Sequence, residues 1–190
     1  MINNRNRHSI RLKGYDYANN GYYFVTVCTH NREHLFGDIV GAQRAAPSYA
    51  QPEMVLNDMG KIVESVWGSL SKHHPVELDQ FQIMPNHIHM IIGIARQSGI
   101  ARQSGIARNA PTGFGHIISG SLSSIIRSFK SEITKQIRIM VDNPEFPVWQ
   151  RNFFERIIRD DAELSKIQRY IQLNPLMWEG DRNNPENIHV

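Results

Sequence analysis

The nine-residue segment Met-Pro-Asn-His-Ile-His-Met-Ile-Ile, at residues 84–92, constrains the fold of this 190-residue chain most. Its Pro-Asn pair predicts a turn, and the apolar residues that follow predict a β-strand. Successive side chains of a strand point to opposite faces of the sheet. We therefore expect His87 and His89 on one face and the isoleucine between them on the other. Two imidazoles side by side on a sheet make half of a metal site.

The rest of the pattern predicts an α+β fold in one domain over residues 1–190. Alternating apolar and β-branched residues predict strands, and apolar residues at helical spacing predict helices. The predicted strands cover residues 22–29, 76–84, 87–94 and about 153–157, and the predicted helices cover 54–70, 119–141 and 160–174. This βαββαβ order predicts the antiparallel sheet of ferredoxin-like and RRM-like folds, with helices on one face and a further C-terminal helix. The open face of such a sheet is free to carry a site.

Two segments are expected to lie outside this core. Residues 1–20 form a basic arm, and residues 95–118 form a variable loop that contains a repeated Gly-Ile-Ala-Arg-Gln-Ser motif. The N-terminus lacks the apolar core of a signal peptide, and no apolar segment is long enough to cross a bilayer. These patterns predict a cytoplasmic protein without membrane contact. The single cysteine excludes an internal disulfide and a multi-cysteine zinc site.

The formal net charge is only +3, but the positive residues are clustered. Basic clusters suit a polyanion, most simply a nucleic acid. The candidate DNA contacts are four residues of the N-terminal arm and two of the second predicted helix: Arg5, Arg7, Arg11, Lys13, Arg127 and Lys130. Solvated helix faces and a free basic tail are the alternative interpretation of the same charges.

The last predicted helix carries Tyr170 and Asn174, which lie one turn apart on the same face. Tyr170 falls at the edge of the apolar stripe that this helix is expected to bury. If the helix docks on the open face of the sheet, both side chains could approach the histidine pair. A tyrosine packed at the rim of the core and an asparagine that caps the helix would explain the same residues without a function.

Five segments in a fixed order carry a resemblance to a known family. They are residues 22–29, 84–92, 127–131, 149–159 and 170–175. Together they resemble the HUH single-strand DNA transposases, in particular the branch of REP-associated tyrosine transposases (IS200-like transposases). The similarity runs from about Ser9 to Asp181, with the loops around residues 41–52 and the hexapeptide repeat as variable insertions.

The resemblance implies a chemistry for the candidate residues. A divalent metal ion, Mg²⁺ or Mn²⁺, would be held by His87, His89 and Asn174, although other branches of the superfamily have glutamine at the last of these positions. Tyr170, in the nucleophile helix over residues 160–175, would attack phosphorus and leave a 5′-phosphotyrosine and a free 3′-OH. A second 3′-OH could reverse this step and rejoin the strands.

The resemblance also implies a substrate, which would be single-stranded DNA with a hairpin or palindromic repeat. Some relatives form homodimers and supply the tyrosine from the partner subunit, whereas others use it in cis, and both arrangements stay open here. Two other function classes also stay open. One is a hairpin-DNA-binding protein that has this fold without turnover. The other is a zinc hydrolase that uses the histidine pair with Glu77 and Asp79 as further ligands.

Overall fold

A computed structural model describes residues 21–41, 51–94 and 120–187. The N-terminal arm with Arg5, Arg7, Arg11 and Lys13, and the repeat-containing loop over 95–118, lie outside the described residues. Their predicted roles, and the prediction of one domain over residues 1–190, therefore stay predictions. In the described part of the chain, no helix has the length and apolar character that crossing a membrane requires.

The described residues form a four-stranded antiparallel sheet, a separate two-stranded sheet and three α-helices. In chain order the elements are β1 (Gly21–Cys28), β2 (Gly37–Val40), β3 (Glu53–Leu56), α1 (Asp58–His73), β4 (Val76–Met84), β5 (His87–Ile94), α2 (Leu122–Met140), β6 (Phe154–Ile158) and α3 (Asp161–Leu173). The main sheet has the strand order β4-β5-β1-β6, and β2 pairs with β3. The predicted ferredoxin-like α+β fold is confirmed, and the histidine-bearing strand β5 is central in the sheet.

The two faces of the main sheet are covered by different helices. On one face, side chains such as Val25 of β1 and Met90 of β5 pack against α1 and α2 in a large apolar core. On the other face, Phe24 and Ile91 pack against α3 through Ile171. The alternation of side chains along β1 and β5 thus separates an apolar layer from the face that carries the histidines.

The helix predicted over residues 54–70 begins later than predicted. Residues 53–56 pair with β2 instead, and Val55 is 48% exposed there. Asn57 then starts the helix, because its side-chain oxygen accepts a hydrogen bond of 3.0 Å from the Gly60 N–H. The strand partner of residues 53–56 is supplied by another part of the chain, which the local apolar spacing does not reveal.

The last helix has the boundaries that its capping residues predict. The Asp160 side chain accepts a hydrogen bond of 2.8 Å from the Glu163 N–H at the start of α3. Pro175 follows the helix and begins a short 3-10 turn over Pro175–Gly180. This turn leads the chain back across the histidine-bearing face.

Candidate metal and tyrosine site

His87 and His89 converge on the face of β5 that α3 covers. Both side chains are fully buried, and their Nε2 atoms are 3.1 Å apart. In the antiparallel register His89 lies opposite Thr26 of β1, whose Oγ1 is 2.9 Å from His89 Nδ1. The strand therefore holds the two rings in the arrangement that the His-Ile-His spacing predicted.

Asn86, in the turn before β5, determines which nitrogen of the neutral His87 ring carries the proton. Its Nδ2 donates hydrogen bonds to the carbonyl oxygens of Arg32 (3.1 Å) and Asn183 (2.8 Å), which orients the amide. The Asn86 Oδ1 is then free to accept, and it lies 2.9 Å from His87 Nδ1. His87 therefore carries its proton on Nδ1, and its Nε2 lone pair faces His89 Nε2.

Burial keeps both imidazoles neutral. The pKa of His87 and that of His89 are lowered, chiefly because the charged form would lose its hydration in this buried position. The proximity of the two rings lowers the pKa of His89 further. Neutral imidazole is the form that binds a metal ion, so the pair is ready to act as two ligands near pH 7.

Tyr170 of α3 lies beside this pair. Its hydroxyl oxygen is 3.3 Å from His89 Nε2, and the two ring centroids are 5.3 Å apart. The Tyr170 ring also meets the Phe24 ring edge-on at 6.1 Å. The side chain is 42% exposed, so the hydroxyl stands at the border between the buried histidines and solvent. Burial raises the pKa of Tyr170, and the nearby Asp181 carboxylate raises it further.

Asp181 completes a group of potential metal ligands with the two histidines, and it was not predicted as a site residue from the sequence. One ligand atom each from His87, His89 and Asp181 all lie within 4.8 Å of one another. Asn174, the predicted third ligand, is buried next to Asp181, and its Nδ2 is 3.4 Å from the Asp181 Oδ2. Within the described part of the chain the Asn174 Oδ1 has no hydrogen-bond partner, although it is buried. Two imidazole nitrogens and a carboxylate thus converge, and the buried amide beside the carboxylate has an unused oxygen.

Contacts from distant residues hold the segment that carries Asp181. The Arg32 Nη1 donates a hydrogen bond of 2.8 Å to the Arg182 carbonyl, and the Asn86 amide holds the carbonyl of the residue after it. Trp178, in the 3-10 turn, stacks on the His87 ring with 6.1 Å between the ring centroids. The Arg182 guanidinium lies 5.9 Å from the centre of the Phe154 ring. This segment therefore brings an acidic and a basic side chain to the same site.

Arg127 and Lys130 lie on α2, which covers the opposite face of the sheet from the histidine pair. Arg127 is exposed. The Lys130 Nζ donates hydrogen bonds to the carbonyl oxygens of Gln150 (2.8 Å) and Asn152 (3.0 Å), and burial lowers its pKa to about 8. The structure thus does not bring these two predicted DNA contacts beside the histidines.

Glu77 and Asp79, the ligands that a zinc hydrolase would need, are engaged elsewhere. The Tyr22 hydroxyl donates a hydrogen bond of 2.7 Å to Glu77. The Gln168 Nε2 lies 2.9 and 3.0 Å from the two carboxylate oxygens of Asp79. Neither acid joins the metal-ligating group found among the described residues, so the structure favours Asp181 as the acidic member.

The fold and the site together define a class of protein: a ferredoxin-like sheet that carries a buried histidine pair, faced by a tyrosine from a C-terminal helix. No protein-family model matches the chain. An uncharacterized protein of Haemophilus influenzae is 40% identical over 178 residues, which cover 93% of this chain and 92% of that protein. A second protein of the same organism, described as a “putative REP-associated tyrosine transposase”, is 24% identical over 165 residues, which cover 85% of this chain and 73% of that protein.

A solved structure of a REP-associated tyrosine transposase bound to a REP hairpin shares the fold. Its TM-score is 0.53 at 17% sequence identity, over 90% of this chain and 74% of that one. The chain belongs to one family with the 40% identical H. influenzae protein, and its resemblance to the REP-associated tyrosine transposases is confirmed.

Proposed function

We propose that this protein is a metal-dependent single-stranded DNA transposase, an endonuclease that cleaves and rejoins DNA near hairpin repeats through a 5′-phosphotyrosine. One observation carries the proposal: the Tyr170 hydroxyl stands 3.3 Å from one nitrogen of a buried histidine pair that also faces a carboxylate. A nucleophile next to a group of metal ligands is what phosphodiester cleavage through a covalent intermediate needs. A core tyrosine would not need this neighbourhood.

The residues present fit a divalent metal ion. The Nε2 atoms of His87 and His89 lie 3.1 Å apart, so a single ion could bind both nitrogens once each is unprotonated. Asp181 and the unpartnered Oδ1 of Asn174 supply oxygen donors. A mixed set of imidazole and oxygen ligands suits Mn²⁺, and also Mg²⁺ when water completes the shell. A bound ion would polarise the scissile phosphodiester and offset charge on its oxygens.

Tyr170 performs the bond exchange in this proposal. Its oxygen attacks phosphorus, a tyrosine–phosphorus bond forms, and the bond from phosphorus to the 3′ oxygen breaks. The tyrosine gives up its proton, and the departing oxygen takes one up as a 3′-OH. Because the new ester keeps the energy of the bond that was broken, a second 3′-OH can attack it and rejoin the strands.

Positive charge beside the tyrosine suits an anionic substrate. Although burial has the larger effect on the pKa of Tyr170, the Arg182 guanidinium acts to lower it, which places that charge near the hydroxyl. Arg182 is exposed, and its backbone is held by Arg32. We assign Arg182 to the phosphate of the strand that Tyr170 attacks.

A single chain contributes every residue of this site. Tyr170 and Asn174 come from the end of α3, the histidines from β5, and Asp181 from the segment that follows. We therefore propose that the reaction uses the tyrosine in cis. The relative that was solved with a REP hairpin supports a hairpin-bearing strand as the substrate.

Covalent trapping tests the proposal. The purified protein is incubated with single-stranded DNA that carries a hairpin, with and without Mn²⁺, and then denatured and separated on a gel. We expect a DNA–protein adduct that requires the metal ion and that mass spectrometry maps to the peptide containing Tyr170. The Tyr170→Phe variant should form none.

Tyr22→Phe is the matched control, because Tyr22 also projects from the sheet but donates to Glu77 instead of facing the histidines. It should form the adduct as the wild type does. An adduct that persists in Tyr170→Phe, or that forms in EDTA, would contradict the proposal. Hairpin binding without any adduct would instead support the binding-only protein.

A further inference from the structure

The buried His89 ring has three polar neighbours, each close enough to form a hydrogen bond with one of its nitrogens. The Thr26 Oγ1 lies 2.9 Å from His89 Nδ1. On the other side of the ring, His89 Nε2 lies 3.1 Å from His87 Nε2 and 3.3 Å from the Tyr170 hydroxyl oxygen. A neutral imidazole carries its proton on one nitrogen and a lone pair on the other. The three neighbours therefore decide which nitrogen of His89 holds the proton.

The contact with His87 places that proton on His89 Nε2. Because Asn86 accepts a hydrogen bond from the Nδ1–H of His87, the Nε2 of His87 presents a lone pair to His89. Two lone pairs that face each other at 3.1 Å would repel, whereas an N–H on His89 Nε2 makes this contact a hydrogen bond. His89 Nδ1 is then left with its lone pair, and it accepts from the Thr26 hydroxyl.

Metal binding requires the opposite tautomer of His89. A metal ion binds an imidazole through an unprotonated nitrogen. The two Nε2 atoms are the ones that a single ion could reach, since the Nδ1 atoms face Asn86 and Thr26. His87 already has an unprotonated Nε2, but His89 must lose its proton from Nε2 and take one up on Nδ1. Because the ring is fully buried, the new Nδ1–H needs an acceptor within the protein.

The Thr26 hydroxyl can serve both tautomers. A hydroxyl has one hydrogen and two lone pairs, and it rotates to suit its partner, so it can donate to a bare Nδ1 or accept from an Nδ1–H. The Asn86 Oδ1, which faces the other ring, can only accept, because the amide of Asn86 is oriented by two carbonyl oxygens. His87 is therefore held in one tautomer, whereas the partner of His89 permits two.

We propose that Thr26 is a positioning residue whose hydroxyl reverses its hydrogen bond to His89 when the site binds a divalent metal ion. The hydroxyl donates to Nδ1 before binding and accepts from Nδ1–H afterwards. The proton that leaves Nε2 is replaced by one at Nδ1, so the imidazole stays neutral in both forms. The inference rests on the metal dependence of the proposed function.

Packing alone does not require a hydroxyl at this position. Thr26 lies between His89 of β5 and Phe154 of β6 in the sheet, and it is 4% exposed. Valine has the same branched shape and suits a strand as well as threonine does. A hydroxyl that only completed the hydrogen bonding of a buried histidine would keep one direction of donation. The position of the His89 proton with and without metal therefore distinguishes the two roles.

Nitrogen NMR of the wild-type protein, labelled with ¹⁵N at histidine, tests the reversal without any substitution. Zn²⁺ is the probe, because it binds imidazole and is diamagnetic. The ¹⁵N chemical shifts separate a protonated from an unprotonated ring nitrogen. We expect the His89 proton on Nε2 in EDTA and on Nδ1 with Zn²⁺, and the His87 proton on Nδ1 in both samples. A His89 proton on the same nitrogen in both samples would overturn the proposal.

Substitution of Thr26 measures what the reversal contributes to metal affinity. Thr26→Val, which removes the hydroxyl, should weaken Mn²⁺ binding by about 10- to 100-fold, as the loss of a partner behind a metal-binding histidine does. Thr26→Ser keeps the hydroxyl and should bind Mn²⁺ about as tightly as the wild type. Electron paramagnetic resonance of the free Mn²⁺ gives each dissociation constant.

Thr134→Val is the matched control, because its hydroxyl donates to the Lys130 carbonyl on the opposite face of the sheet. It should leave Mn²⁺ affinity unchanged. Wild-type affinity in Thr26→Val, or an equal loss in Thr26→Ser, would overturn the role of the hydroxyl. Adduct formation through Tyr170 of the wild type is measured in parallel. A metal-dependent adduct with no effect of Thr26→Val overturns the Thr26 assignment alone, and weaker Mn²⁺ binding in Thr26→Val without any wild-type adduct overturns the catalytic proposal alone.

Discussion

The two faces of the main sheet bury different kinds of side chain. The α1–α2 face buries large apolar side chains such as Phe129, Ile133 and Met90, all at most 1% exposed. The α3 face has a small apolar cluster, and beside it two histidines, an asparagine and an aspartate are buried. Buried polar groups are costly unless each has a partner, whereas apolar packing is favourable without one. Apolar packing on the α1–α2 face therefore supplies stability that offsets the cost of burying polar groups on the α3 face.

The largest expected effect is the loss of an aromatic ring from the apolar face. Phe129→Ala should lower the free energy of unfolding by about 3–5 kcal/mol, since the ring is 1% exposed and packs edge-on against Trp67. Denaturant unfolding measures this. Ile139→Ala, on the same helix but 72% exposed, should change it by no more than about 0.5 kcal/mol. Equal effects of the two variants would contradict the assignment of the stability to apolar side chains buried on the α1–α2 face.

Metal binding should stabilise the protein through the polar face. Mn²⁺ at about 100 times its dissociation constant should raise the free energy of unfolding by about 2.7 kcal/mol relative to EDTA. His89→Gln and Asp181→Asn should remove most of this gain, because each takes away one member of the ligand group. Glu77→Gln is the control and should keep the gain in full. If Glu77→Gln abolished the gain and Asp181→Asn did not, the ligand assignment would be wrong.

Acid should weaken the polar face before the apolar one. Burial lowers the pKa of both site histidines, so below about pH 6.5 the unfolded chain binds more protons than the folded chain. The free energy of unfolding of the metal-free protein should therefore decrease as the pH falls, by at most about 1.4 kcal/mol per pH unit for each histidine. The variant His87→Gln/His89→Gln should show a flatter profile between about pH 6.5 and 4.5. A profile as steep as that of the wild type would show that other groups cause the loss.

The smallest effect should come from the cap of α3. Asp160→Ala should lower the free energy of unfolding by about 1 kcal/mol, because the helix loses the hydrogen bond to the Glu163 N–H. Hydrogen exchange should become faster at the amides of α3 and stay unchanged in β1 and β5. Lys166→Ala, at an exposed position of the same helix, should leave both readings near the wild type. Faster exchange throughout the sheet would mean that the two faces do not unfold separately.

The sequence predicted those parts of the fold that depend on local spacing. The alternation around His87 and His89 placed both on one face, and the Asp160 cap placed the start of α3 correctly. The ferredoxin-like order followed from the succession of strands and helices. Each of these predictions depends on residues only a few positions apart. Within one helix or strand, the regular backbone determines where the side chains of such residues point.

The rest could not be predicted, because it depends on contacts between distant residues. Asn86 binds the Asn183 carbonyl across 97 positions of the chain, and that contact helps to bring Asp181 to the histidines. Nothing in the polar sequence after Pro175 distinguishes this aspartate from a surface residue. Arg127 and Lys130 were predicted as DNA contacts from their charge, and charge alone does not reveal that the packing of α2 puts them on the face opposite the histidines.

The stacking of Trp178 on His87 gives the molecule an internal optical reporter. The chain has three tryptophans, and the other two, Trp67 and Trp149, pack in the layer of α1 and α2. With those two replaced by phenylalanine, all remaining indole emission would arise 6.1 Å from a histidine ring of the site. A paramagnetic ion such as Mn²⁺, if held by that histidine, would quench this emission. Metal occupancy of the site could then be followed by tryptophan fluorescence, without DNA and without a turnover assay.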